Sequence, residues 1–186
     1  LSCIALFMPQ MVSSEEAFRG TGGSLEIQLT RGSSINSDST LLCNWVIVND
    51  LSMPARIVHP EYFRGVNISF RDSNFYYTST LVVEFDEPTY AIEIKHIVFD
   101  VWNSLVRILT SDHIEDFDPD TRKSLTGLRW RIHGEREAAS HLASISFIYR
   151  VRLANGEIRT ADLSQVLIEA SRVSGVSFDE ALIVSE

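Results

Sequence analysis

Residues 90–106, YAIEIKHIVFDVWNSLV, decide the architecture. The run is dense in Ile, Val and Phe, side chains that suit a pleated, buried surface. Trp102-Asn103-Ser104 interrupts it as a tight turn, and a second strand opens at Leu105, so the stretch reads as a central hairpin. Its apolar positions change parity midway. Ile92 and Ile94 share one face, whereas Ile97, Phe99 and Val101 take the other. Either both faces of the strand are covered, or a β-bulge near Lys95-His96 re-aims it.

Upstream, the other segments arrange themselves as partners of this hairpin. Leu25, Ile27 and Leu29 alternate with Glu26, Gln28 and Thr30, the pattern of a half-buried strand. Residues 31–39 read as a Gly/Ser/Asn/Asp loop, and 41–48 (LLCNWVIV) as a more central strand with Leu41, Cys43, Trp45 and Ile47 on one face. Residues 55–58 form a short edge strand stopped by His59-Pro60, since proline cannot donate to a ladder. Val66, Ile68 and Phe70 lead through a turn at 71–74 into a strand over 75–85, which Glu87-Pro88 ends.

Downstream, the hairpin continues over 105–109, and 110–121 (TSDHIEDFDPDT) reads as an acidic connection. Leu128, Trp130 and Ile132 alternate with Arg129, Arg131 and His133, and 134–141 is a loop or a single helical turn. In 144–153 the pattern places Ile145, Phe147, Tyr149, Val151 and Leu153 inward, with Ser144, Ser146, Arg150 and Arg152 outward. Asn155-Gly156 is a strong hairpin signal, predicting a type I′ turn with positive φ at both central residues. After the return strand at 158–160, Asp162 is placed to cap a helix whose apolar face is Leu163, Val166, Leu167, Ala170 and Val173. Gly175 stops that helix.

The chain has 186 residues, 45% of them hydrophobic, enough for one full core. Its net charge of −9 argues against nucleic-acid binding, which needs clustered Lys and Arg. Cys3 and Cys43 are too few for a disulfide framework, and Cys43, inside an apolar strand, reads as a buried structural thiol. The apolar run 1–11, followed by Ser13, Ser14 and Ala17, fits the end of a secretory signal peptide, which implies a periplasmic or secreted protein; without a leader the setting would be cytoplasmic. The run is too short to span a membrane as a helix. Residues 19–24 are a Gly-rich linker with none of the surroundings of a phosphate loop, and Asn67-Ile68-Ser69 matches an N-glycosylation acceptor by pattern alone. The resulting division is 1–23 as leader remnant or flexible N-terminus, 24–161 as β-sandwich, and 162–186 as C-terminal helix and tail packed on it.

Val48-Asn49, Val98-Phe99-Asp100-Val101-Trp102-Asn103 and Ile114…Pro119 together resemble bacterial extracytoplasmic immunoglobulin-like domains of the FxLYD type. Asn103 stands where those have glycine, and Asp120 follows Pro119 in place of another. The likeness implies a sandwich, and with the strand and helix patterns above the expected fold is mainly β, an antiparallel immunoglobulin-like sandwich of about eight strands with one C-terminal α-helix. It also implies a binding or spacer role in the cell envelope, and it carries over no active site.

Asp116, Asp118 and Asp120 have the opening spacing of an EF-hand loop, but Thr121 replaces its glycine and Gly127 its last carboxylate, so 112–120 reads as a solvated loop and no metal site is assigned. Asp100 reads as an acceptor for the backbone N–H groups of Asn103 and Ser104. His59, His96, His113, His133 and His141 are scattered and compose no triad, and no cofactor motif occurs. Arg129, Arg131, Arg150 and Arg152 fall pairwise on strand faces and, should those strands be neighbours, form a basic patch for an anionic ligand or partner. The competing reading is cross-strand pairing with acids such as Glu93 and Glu157. The expectation is therefore a non-enzymatic, exported sandwich acting as a protein-interaction or accessory module, with no nucleic acid and no membrane span. The alternative is a small-ligand binder with a cavity lined by aromatics such as Trp45, Phe75, Tyr77 and Trp130.

Overall fold

The computed structural model describes residues 25–36, 39–58, 64–71, 73–133, 137 and 140–184. Among them run β1 (Leu25–Asn36), β2 (Ser39–Asp50), β3 (Ala55–Val58), β4 (Arg64–Arg71), β5 (Asn74–Phe85), β6 (Thr89–Asp100), β7 (Leu105–Phe117), β8 (Thr121–Arg131), β9 (His141–Leu153) and β10 (Ile158–Thr160). Two helices follow, α1 (Ser164–Ser174) and α2 (Glu180–Val184). None of the described helices is long and apolar enough to cross a membrane. The expectations for the leader run, Cys3, the 19–24 linker and His59-Pro60, and those for the side chains of Cys43 and Asn67, lie outside the described residues.

The protein is mainly β, as expected, with ten described strands in place of about eight. The two short ones count because β3 and β10 pair in full register with β5 and β9. Sheet A has the order β1-β2-β9-β6-β7, with β10 also on β9. In sheet B, β3 and β4 follow one another along one edge of β5 and β8 lies along the other. One pairing departs from the antiparallel expectation. Residues 44–47 of β2 run parallel to 143–146 of β9. These strands meet only after the excursion through β3 to β8, and a long crossover, unlike a hairpin, can deliver parallel partners.

The connections at 51–54, 86–88 and 118–120 each carry the chain from one sheet to the other. At the first, the buried side chain of Asn49 takes the place of a strand. Its Nδ2 donates to the Ile57 carbonyl at 2.8 Å, and its Oδ1 accepts from the Ile57 N–H at 2.9 Å. At the second, the Pro54 and Pro88 carbonyls accept from Asp86 and Ala154, pinning the ends of both sheets.

Sheet A is covered on both faces, which explains the parity change in β6. Ile92 and Ile94 enter the core between the sheets with Trp45, Ile47, Leu81 and Phe85. Ile97 and Phe99 point the other way, into a second core with Phe147, Val166, Ala170 and Ile183 under α1 and α2. Each such side chain, fully buried, contributes about 1.5–3 kcal/mol. The predicted helical face is the one that docks: Leu163, Val166 and Ala170 are buried, Leu167 and Val173 pack beside them, and Gly175 ends α1 at φ 74°. Asp162 acts one residue earlier than a cap, its Oδ1 accepting the Ser164 N–H. The tail forms a second helix, α2, because Ile183 is drawn into the same core.

Three local readings are corrected. Residues 110–117 are the second half of β7, not a connection, and β8 opens at Thr121. Residues 31–36 likewise continue β1. Most consequentially, β9 does not alternate from end to end. Glu93 faces Arg150 and Ile94 faces Ile148, which leaves Tyr149 as an extra residue, a bulge. Ahead of it Ile145 and Phe147 face the helices; after it Val151 and Leu153 face the other sheet. Ser144 and Ser146, expected outside, are buried. The hairpin after β9 forms as expected, but only Gly156, at φ 91°, has positive φ there. The Gly156 N–H donates to the Leu153 carbonyl, as in a type I turn closed by a glycine bulge.

Candidate functional site

The bulge at Tyr149 also places the arginines. A one-residue slip turns every later side chain to the opposite face. Without it Arg150 and Arg152 would point between the sheets; with it they lie on the outer face of sheet A, beyond the area that α1 and α2 cover. Arg129 and Arg131 belong to β8, in sheet B, so the four do not form one patch. Arg129 lies 5.3 Å from the Tyr76 ring centre and Arg131 donates to Asn74 Oδ1 at 2.9 Å.

Around Arg150 and Arg152 the strand registers build a groove of about 350 Å³. One row crosses four strands as Ile114, Ala91, Arg152 and Ile158. The next reads Asp112, Glu93 and Arg150. Ile114 is 69% exposed and Ile158 59%, apolar surface left open on this sheet. The far wall, Asp112 and Ile114, comes from the half of β7 that the sequence pattern placed in a loop.

Beneath the groove runs a chain of charge. Glu93, almost wholly buried, is ion-paired with Arg150, and its Oε1 lies 3.8 Å from Lys95 Nζ. Lys95 is buried as well. It donates at 2.5 Å to the Ile183 carbonyl, near the C-terminal end of α2, and sits 4.6 Å from the Tyr149 ring centre. A cation at that end of a helix complements its dipole. Arg152 is exposed and has no ion-pair partner among the described residues. Of the two pairings foreseen, Glu93 does meet Arg150, whereas Glu157 pairs with Arg159 at 2.8 Å.

The interior of the sandwich holds a polar set that sequence reading missed. His96 Nδ1 lies 2.7 Å from Ser146 Oγ, and its ring meets Trp130 edge-on at 5.3 Å. Among the described residues, His96 Nε2, Ser144 Oγ and Ser79 Oγ have no hydrogen-bond partner. Burial, followed by the charge of nearby His113, pushes the His96 pKa down to about 3, so the ring is neutral at ordinary pH. His141 Nε2 donates to the Val66 carbonyl, 2.8 Å away, and burial lowers its pKa too. The His96–Ser146 pair is shut from solvent, and among the described residues the contacts made by His96 include no carboxylate.

The remaining candidates find structural partners. Asp100 Oδ1 accepts the N–H groups of Trp102 at 2.9 Å and Ser104 at 2.8 Å, while the Asn103 N–H goes to the Asp100 carbonyl. Asn103 adopts φ 59°, the left-handed conformation that glycine or asparagine tolerates. This ordered turn presents Trp102, 82% exposed, to solvent. Of the acidic residues, Asp112 lines the groove, Glu115 pairs with Lys123 at 2.8 Å, and Asp120 donates its N–H to the Phe85 carbonyl. No set of three or more His, Cys, Asp or Glu side chains converges among the described residues. Trp45, Tyr77, Trp130 and Phe75 pack into the core clusters, and the Trp45 and Trp130 indoles donate to the Val66 and Thr110 carbonyls. The chain matches no protein-family model, no curated protein and no solved structure.

Proposed function

We propose that this chain is a non-catalytic β-sandwich interaction module that receives an extended segment of a partner protein in the groove on the outer face of sheet A. The observation that carries the reading is the juxtaposition there of exposed Ile114 and Ile158 with an uncommitted arginine, Arg152, on a sheet face where Ile97, Phe99, Ile145 and Phe147 lie under helices. Binding sites combine apolar area with a few placed polar groups, and exposed apolar surface rimmed by charge marks contact surfaces. An extracytoplasmic setting goes with this reading and rests on the apolar run at 1–11. So does the immunoglobulin-like, FxLYD-type grouping. It is supported by the two packed sheets and the Asp100 turn in the matched hairpin; the parallel β2–β9 pair departs from it.

A peptide-display selection tests the reading, run against the full chain and against an Ile114→Asp/Ile158→Asp variant. Peptides enriched on the first and lost on the second are expected. Absence of enrichment, or enrichment indifferent to the substitutions, would refute the groove as the docking surface.

A further inference from the structure

We infer that the segment seated in this groove is acidic and apolar, a stretch of a partner protein that brings a carboxylate to Arg152 and lays aliphatic side chains over Ala91, Ile114 and Ile158. The inference rests on the interaction-module reading and adds the chemistry of the occupant. Its first support is local charge. In the groove lining Arg150 and Arg152 balance Glu93 and Asp112, with Lys95 buried beneath, so the local charge is not negative on a chain whose net charge is −9. A carboxylate is therefore repelled less in the groove than by the chain's acidic surface as a whole.

The second support is how the charges are committed. Glu93 is only 6% exposed and shared between Lys95 and Arg150, so it holds Arg150 in place instead of reaching for a ligand. Lys95 is turned away, towards the Ile183 carbonyl. Arg150 is engaged through its Nε, whereas Arg152 has no ion-pair partner among the described residues and keeps its whole guanidinium fork for a ligand, two strands from the Asp112 wall and beside Ile158. A guanidinium fork matches a carboxylate in a bidentate way, and charge-assisted bonds of this kind are the strong ones. The exposed isoleucines flank it on both sides of the row, so an anion arriving with apolar neighbours meets matching surface, whereas a bare anion leaves that surface wet.

The test uses the full chain and three synthetic peptides of alternating Leu with Glu, Gln or Lys, followed by fluorescence anisotropy. The Glu peptide is expected to bind about tenfold or more tightly than the Gln peptide, a charge-assisted contact being worth that factor. Its affinity should fall with added salt, and Arg152→Gln should abolish the preference while Arg129→Gln in sheet B leaves it unchanged. Equal binding of the Gln peptide, stronger binding of the Lys peptide, dependence on Arg129, or full displacement by hexanoate would each overturn the acidic-segment inference and leave the groove as a docking surface. Failure of all three peptides to shift with Ile114→Asp would overturn both.

Discussion

The most quantitative consequence of the fold concerns His96. In the unfolded chain its imidazole titrates at the ordinary value of 6.5, whereas burial between the sheets holds it down at about 3. Above the unfolded value neither state carries the proton. Between the two values the unfolded chain binds a proton that the folded chain refuses, so stability is lost as pH falls from 6.5 towards 3. At about pH 5 the gap is roughly 1.5 units, which at about 1.4 kcal/mol per unit removes about 2 kcal/mol. Because the ring is fully buried, solvent screening does not dilute the effect. The perturbation is His96→Leu with Ser146→Ala, which removes both partners of the 2.7 Å contact and leaves no orphaned group from that pair. Such paired replacement is close to neutral in stability near pH 7.5. Urea unfolding followed by far-ultraviolet circular dichroism at both pH values provides the assay. Both proteins retain the acid dependence due to His113 and His141, whose pKa values burial also lowers. The double variant should nevertheless lose about 2 kcal/mol less than the parent on acidification. Equal losses in the two proteins would refute the burial of a neutral His96.

Three further outcomes follow from named contacts. Lys95→Met removes the donor that holds the Ile183 carbonyl and half of the compensation of Glu93; it should destabilise the protein by about 3 kcal/mol and speed amide exchange in α2 before that of β9, read by hydrogen-exchange mass spectrometry. Asn49→Ala leaves the buried N–H and carbonyl of Ile57 unpartnered and should cost about 2–4 kcal/mol in chemical unfolding, with β3 exchanging first; a cost below that of a surface substitution would contradict the stitch between sheets. Asp100→Ala removes the acceptor of two turn N–H groups at an exposed tip and should lower stability by about 1–2 kcal/mol in thermal melts, with Asp100→Asn recovering part of it.

How much of this was legible in the sequence depends on the kind of signal. The hairpin at 90–106 was readable because its turn chemistry is local, and the doubly covered β6 was one of the two readings its parity change allowed. The apolar face of α1 was readable because 3.6-residue periodicity survives in any context. The second half of β7 was not. As the edge strand of sheet A it exposes both sides, so Asp112, Ile114, Glu115 and Asp116 carry no alternation to detect. The bulge at Tyr149 was hidden for the opposite reason. Residues 145–153 alternate on paper except at Ile148, an apolar residue at an outward position, and it is the register against β6 that locates the slip beside it. That slip decides where Arg150 and Arg152 point. Half of the proposed arginine patch therefore survives as one side of a groove, while Arg129 and Arg131 fall in the other sheet because strand order is not written in local pattern.

The central claim is that the outer face of sheet A, and not the exposed tip at Trp102, is where a partner docks. Amide chemical-shift mapping of the isotope-labelled full chain with a display-selected peptide tests it most directly. The account predicts shifts concentrated at Ala91, Glu93, Ile114, Arg152 and Ile158, a set scattered through the sequence that only the strand registers bring together. Shifts confined to Val101, Trp102 and Asn103, with the groove amides unmoved, would contradict it.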